Sequence, residues 1–461
     1  MRASRVRRTA IGAITVLGLT LAAVGCTGDD DPGDPRPRAS SAATTEPPTH
    51  LTFGVFGPSP QLRAFRYTVN QWNAQTEGPE VRLRTWESPA AFRRAIESGA
   101  ELPDVFMTSR NDLRWLLDTR STQPVDELLD ERGVDFGDGY SRDALQAFSA
   151  DERLQCMPYG VSPMVVYYNK DLVDFARMAR RGLDAPDPDA TSWSFEDFSA
   201  AASFASRPRR GTKGVHITPT LPALSPFIAS GGGSVFDDGS DPTSLAFSTD
   251  DSRGALDTTL QVLRNPQVTL DPGQLAQASP LKWFERGKLG MIAGYRSLVP
   301  ELRLVPNLDF DVMPMPVLDH SSTVGDVTGL CMSRKTASMT AAADFMVHEL
   351  SSDSVSRVTR TGYLAPANLE VALSDTFLQP GREPEHSTIF NLTVRSLQLA
   401  PLIDTLPELE RAVRPDLEQL VYGVGALDLD GVTQQIDEKS RPILDPEVVS
   451  ESPSPTESSG G

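Results

Sequence analysis

The sequence predicts an α/β protein whose first part is a parallel sheet covered by helices on both faces. Two patterns carry that expectation. Short segments alternate apolar residues with period two, and the segments between them repeat apolar residues at helical spacing. Composition permits a large core: 39% of residues are hydrophobic and 23% charged, which excludes wholesale disorder.

Taken in order, Leu51, Phe53 and Val55 alternate as a strand, and Leu62, Phe65, Val69 and Trp72 fall on one helical stripe. Val81, Leu83 and Thr85 return to period two, with Arg82 and Arg84 on the other face. Ser88-Pro89 is a helix start, with serine as N-cap and proline at the first helical position. Phe92 and Ile96 supply that helix's apolar face, and Gly99 stands where a C-terminal cap belongs. Leu102 to Met107 reads as a third strand. Strand–helix–strand–helix–strand implies right-handed crossovers and parallel pairing, and ligands of such sheets bind beyond the carboxyl ends of the strands. Those ends lie near Phe56–Ser59, Trp86–Ser88 and Thr108–Arg110. Residues 163–320 mix helices with glycine- and proline-rich loops, residues 384–445 read as mostly helical, and no internal repeat is visible.

Lys+Arg number 43 and Asp+Glu 62, a formal net charge of -19. The first 25 residues hold four arginines (Arg2, Arg5, Arg7, Arg8) and no acid, so the remainder carries -23. The overall field of such a chain attracts neither nucleic acid nor anionic lipid. Arg2 to Arg8 followed by the apolar stretch Ile11 to Val24 reads as an export signal over residues 1–25, too short to span a bilayer comfortably. The signal ends Ala23-Val24-Gly25-Cys26, which resembles a bacterial lipobox, although Ala23 stands where such sequences prefer leucine. The expectation is a lipid on Cys26; the alternative is an ordinary cleaved signal with a stray thiol. Residues 26–50 are acidic and then rich in Pro, Ala, Ser and Thr, the composition of a disordered tether, and residues 446–461 have the same character.

Chemical motifs are sparse. His50, His216, His320, His348 and His386 form no i,i+4 pair, so the helical zinc-protease pattern is missing. No nucleophile elbow, phosphate-cradling P-loop or dinucleotide fingerprint occurs. Asp428-Leu429-Asp430-Gly431 through Asp437 overlays part of a calcium loop, but Ala426 occupies the first ligand position and Asp437 the place of the bidentate glutamate. A helix–helix connector explains the same residues.

Several landmarks then occur in a characteristic order. They are Gly99-Ala100-Glu101-Leu102-Pro103-Asp104-Val105-Phe106, Pro124-Val125-Asp126-Glu127-Leu128, and Met164 to Leu172 with its Tyr167-Tyr168-Asn169-Lys170-Asp171-Leu172. Thr191-Ser192-Trp193, Phe284-Glu285-Arg286-Gly287-Lys288-Leu289-Gly290-Met291, Asp311 to Pro316, Gly329-Leu330 and Tyr363-Leu364-Ala365-Pro366-Ala367 follow. In these residues the chain resembles the family-1 extracellular solute-binding proteins, the receptors of sugar-type ABC importers, from about Leu51 to Leu444.

The resemblance implies a two-lobed periplasmic-binding-protein-like fold of type II. A hinge of crossing strands joins the lobes, and the ligand lies in the cleft between them. It implies residues 51–158 and 332–380 in one lobe and 163–326 and 381–445 in the other, with crossings near Pro158–Pro163, Thr328–Ser333 and residue 380. The implied function is capture of a sugar or related polar small molecule by hinge closure and delivery to a permease. The implied receptor is monomeric, uses no cofactor or metal, binds no nucleic acid, catalyses no reaction and sits at the outer face of the cytoplasmic membrane. Two alternatives stand beside it: an exported carbohydrate-active hydrolase on a similar scaffold, and a receptor that serves a sensor protein.

On that topology the loops at the cleft supply the candidate ligand-binding residues Phe56, Ser59, Ser109, Arg110, Tyr159, Tyr295, Arg296, Asp326 and Tyr363. Arg110 and Arg296 together would suit an anionic solute. The tryptophans do not by themselves point to carbohydrate, because Trp72, Trp115 and Trp193 read as packing residues and Trp86 and Trp283 suit core or cleft. Cys156 and Cys331 fall on neighbouring crossing segments. They form either a disulfide at the base of the hinge or two buried thiols.

Overall fold

A computed structural model describes residues 50–187 and 189–446. The expected signal, Cys26, the tether up to residue 49 and the tail from residue 447 lie outside the described residues. Twelve strands occur among the described residues. They are β1 His50–Phe56, β2 Glu80–Trp86, β3 Val105–Ser109, β4 Thr122–Gln123, β5 Ser149–Ala150 and β6 Arg153–Leu154. Then come β7 Cys156–Pro163, β8 Val165–Asn169, β9 Lys213–His216, β10 Leu289–Gly294, β11 Phe310–Pro314 and β12 Gly325–Ser333.

The first sheet has the order β2-β1-β3-β12-β4, with β7 pairing β12 off that path. β1 runs parallel to β2 and β3, as the alternating segments predict, whereas β12 is antiparallel to β3, β4 and β7. The helix between β2 and β3 starts and stops where the sequence places its caps. Ser88 Oγ accepts from Ala91 N at 3.2 Å to begin the helix Pro89–Glu97. Gly99, at φ +96°, ends it, with Ala100 N donating back to Ala95 O. Leu51, Phe53, Val55, Phe65, Phe106 and Phe345 share the core of this lobe.

The second sheet has the order β11-β8-β10-β9 and is buried on both faces. Alternation along β8 divides its side chains. Val165 and Tyr167 join Ile292, Phe310 and Phe390 on one face, and Val166 and Tyr168 join Met291, Phe198 and Leu417 on the other. This is why the segment reads as a continuous apolar run. Trp193 is structural: its indole N–H donates to Pro314 O at 2.8 Å.

The two sheets belong to one compact unit and are joined by β7 and β12. These strands pair antiparallel from Cys156↔Cys331 to Pro163↔Gly325, with a register shift at Thr328/Gly329 that leaves Tyr159 as the extra residue of a β-bulge. Cys156 and Cys331 are directly opposite and are joined by a disulfide. On the other edge of β7, Val161 N donates to Ala365 O at 2.8 Å and Ala367 N to Tyr159 O at 3.0 Å. The third connecting segment therefore lies against the hinge at residues 365–367, and Phe377 is already packed in the core of the second sheet.

Asp428 caps the helix Leu429–Leu444 through Gly431 N, and Asp437, inside that helix, accepts from Phe247 N and Ser248 N. The calcium-loop overlay is thus a helix start, with its last carboxylate engaged by backbone.

Candidate functional site

Two cavities meet at Asp326 on β12. The smaller, about 310 Å³, lies beyond the carboxyl ends of β1 and β2 and is walled by Phe56, Gln61, Glu87 and Ser88, by Gly160–Ser162 of β7, and by Tyr363–Ala365. The larger, about 410 Å³, lies between Ser109–Asn111 after β3 and Leu221, Ser225, Phe236 and Tyr295 of the second lobe. Gln398–Pro401, Leu406 and Glu410 close its side. Together they form a cleft between the two sheets, floored by the strands that connect them. Gly160 allows a close approach there: a Cβ would stand 2.5 Å from Leu364 Cδ1 and 2.8 Å from Thr328 Oγ1, so both side chains would have to shift.

Six expected residues line the cleft: Phe56, Ser109, Arg110, Tyr295, Asp326 and Tyr363. Three do not. Ser59 opens the helix Ser59–Gln75 and is exposed outside both cavities. Tyr159 is 1% exposed in the first core, beside Phe65 and behind the bulge. Arg296 is fully buried, with its guanidinium 4.7 Å from the Phe377 ring and 5.2 Å from Phe390. An extended residue points opposite to its neighbour, so Tyr295 at the cleft sends Arg296 into the core. The paired-arginine reading for an anionic solute loses one of its two members.

Tyr295 is held by its own backbone, since Tyr167 Oη donates to Tyr295 O at 2.7 Å. Asp326 and Glu410 line the same cavity as Tyr295, and burial first, then the charges of these two carboxylates, push its phenol above the usual range. Asp326 is open to the cleft yet deep between the lobes, and that depth raises its pKa. Burial also raises Glu410, opposed by Arg414. Arg110 carries the cleft's positive charge. Its Nε is buried without a hydrogen-bond partner, it has no ion pair among the described residues, and burial lowers it to about 10.

The cleft thus offers aromatic faces (Phe56, Phe236, Tyr295, Tyr363), carboxylates that accept from hydroxyls, and amide and guanidinium donors. This mixture suits a polyhydroxylated solute, whose ring faces are apolar and whose rim is polar. None of the five tryptophans lines it. Among the described residues no group of three His, Cys, Asp or Glu could hold a metal ion. Gln61, Asn111, Phe236, Gln398 and Glu410 were not expected, and Glu87 falls inside the expected strand-end stretch Trp86–Ser88 without having been named as a candidate. Glu87 and Asn111 directly adjoin the strand ends and were legible from that rule, whereas Gln398 and Glu410 reach the cleft only through tertiary folding.

Comparison with known proteins agrees with this architecture. The family described as bacterial extracellular solute-binding protein matches residues 68–382. No curated protein matches the chain. Among solved structures, the sugar-binding protein MalE of Xanthomonas citri superposes with a TM-score of 0.72 at 15% identity, covering 88% of this chain and 100% of that one. An ABC substrate-binding protein of Listeria monocytogenes, in complex with cycloalternan, gives 0.70 at 18% identity, covering 84% and 97%. The cyclic alpha-maltosyl-1,6-maltose binding protein of Arthrobacter globiformis gives 0.69 at 17% identity, covering 86% and 99%. The fold is the two-lobed, maltose-binding-protein-like one, and the chain belongs to the bacterial extracellular solute-binding proteins.

Proposed function

We propose that this protein is the solute receptor of an ABC importer and captures a sugar by closing its two lobes over it. The observation that carries this reading is the place of Asp326: it lies on a strand that connects the lobes and borders both cavities. A solute held there contacts both lobes and the hinge at once. Differential affinity for the closed form then drives closure, and the closed form is what a permease recognises. Family membership and the sugars named for the similar structures support a saccharide. The lipobox-like Ala23-Val24-Gly25-Cys26 supports a lipid anchor on Cys26 that holds a monomeric receptor at the outer face of the cytoplasmic membrane. A tether of some twenty residues allows a reach of roughly 25–30 Å.

The test is a thermal-shift screen of the exported chain against malto-oligosaccharides, cyclic glucans, monosaccharides and sugar acids. A ligand at 100 times its dissociation constant stabilises by about 2.7 kcal/mol, which reads as a few degrees. A flat response across the panel would remove the proposal.

A further inference from the structure

Six arginines gather at one end of the second lobe in a chain whose net charge is -19. The guanidinium groups of Arg177, Arg181 and Arg207 stand 6.0, 5.5 and 5.4 Å from the single ring of Phe204. Arg180, Arg209 and Arg210 are exposed beside them in sequence. None of the six is in an ion pair among the described residues, whose ion pairs use other arginines, lysines and His386. Asp174, Asp184 and Asp187, the acids nearest in sequence, form no ion pair with the cluster among the described residues; the Asp174 carboxylate accepts from the backbone at Arg177 N. Burial, then the charges of Arg210, Arg177 and Arg181, hold the Arg207 guanidinium below its usual range, so the groups repel one another. Leu183, 43% exposed, follows directly on Arg181 and Gly182.

The strands define where this cluster lies. Arg207 to Arg210 immediately precede β9, and Lys288 precedes β10, while the residues that follow these two parallel strands, Leu221 and Tyr295, line the cleft. The cluster therefore occupies the amino ends of the strands, roughly 20 Å from the cleft at ~3.3 Å per residue of β10.

We propose that this pole of the second lobe is a docking surface for an anionic phospholipid bilayer. Charge complementarity argues for it. Unneutralised guanidinium groups match phosphodiester oxygens, and an exposed leucine amid arginines suits the headgroup boundary. The acidic remainder of the chain does not cancel the attraction, because at physiological salt charges beyond about 8 Å are screened while the arginines touch the surface. Docked in this way, the receptor rests with its cleft directed away from the bilayer, open to solute. Delivery then requires it to leave the surface. That last step rests on the importer reading; the docking itself does not.

The test uses the exported full chain carrying Cys26→Ser, so that no acyl group contributes. It is sedimented with vesicles of phosphatidylglycerol mixed into phosphatidylcholine, and with pure phosphatidylcholine vesicles. Binding to the mixed vesicles alone, abolished at about 1 M salt where the screening length is about 3 Å, is expected. Arg180→Glu with Arg209→Glu, both exposed and without ring contacts, should lower partitioning roughly ten-fold or more with the thermal transition unchanged. Arg177→Glu with Arg181→Glu should do the same. Equal binding to both vesicle types, no binding to either, or indifference to both charge reversals would overturn the proposal, whatever the outcome of the sugar screen.

Discussion

Tyr295 and Arg296 are neighbours in sequence and face opposite ways: the tyrosine borders the cleft, and the arginine is sealed between Phe377 and Phe390. Arg296 also donates to Phe377 O at 3.3 Å and Ser387 Oγ at 3.4 Å, and its Nε has no partner. Its guanidinium thus holds the segment after residue 376 against the second sheet. Arg296→Ala should cost on the order of 3 kcal/mol of stability in denaturant unfolding and leave solute selectivity unchanged.

Arg110 behaves oppositely, because its desolvated charge has no ion pair among the described residues and its Nε no hydrogen-bond partner there. Arg110→Ala should change stability by no more than about 1 kcal/mol while weakening solute binding by about 10- to 100-fold, the worth of a hydrogen bond to a charged group. Calorimetric titration and thermal unfolding of the same variant separate the two effects.

The disulfide ties the two hinge strands at their first-lobe end. Alkylation of the unreduced, denatured protein should label neither Cys156 nor Cys331, and reduction should expose both. Replacing both by alanine should destabilise by about 2–5 kcal/mol, measured by urea unfolding.

Glu349 is fully buried, and burial raises its carboxyl to about 8. Thr68 Oγ1 donates to Oε2 at 3.0 Å, while Oε1 and the nearby Tyr159 hydroxyl lack partners. A raised folded-state value means that the group's contribution is complete below the unfolded carboxylate range and is lost as pH rises toward 8. Unfolding free energy should therefore fall between about pH 4.5 and about pH 8, by on the order of 5 kcal/mol from this group at ~1.36 kcal/mol per pH unit. Glu349→Gln should flatten that decline.

How much of this was legible in the sequence depends on whether the signal was local. Alternation identified β1 and β2, Ser88 and Gly99 identified a helix's ends, and the strand-end rule found Phe56, Ser109 and Arg110. Family topology expects Tyr159 at the cleft because it lies at the first crossing, but a bulge, invisible to periodicity, turns it into the core. Arg296 misled because a buried arginine held by two rings has the same local sequence as one that greets a ligand. Glu410 and Gln398 come from a region remote in sequence, and only the packing of the last helices against the second sheet brings them to Tyr295.

The most direct measurement is a calorimetric titration of the full exported chain with the sugars that shift its unfolding, followed by analysis of the recovered ligand. One bound molecule per chain, returned chemically unchanged, with affinity lost in Asp326→Asn and Tyr295→Ala, is the expected result. Saturable binding unaffected by both substitutions, or a sugar recovered as cleavage products, would contradict capture at the hinge.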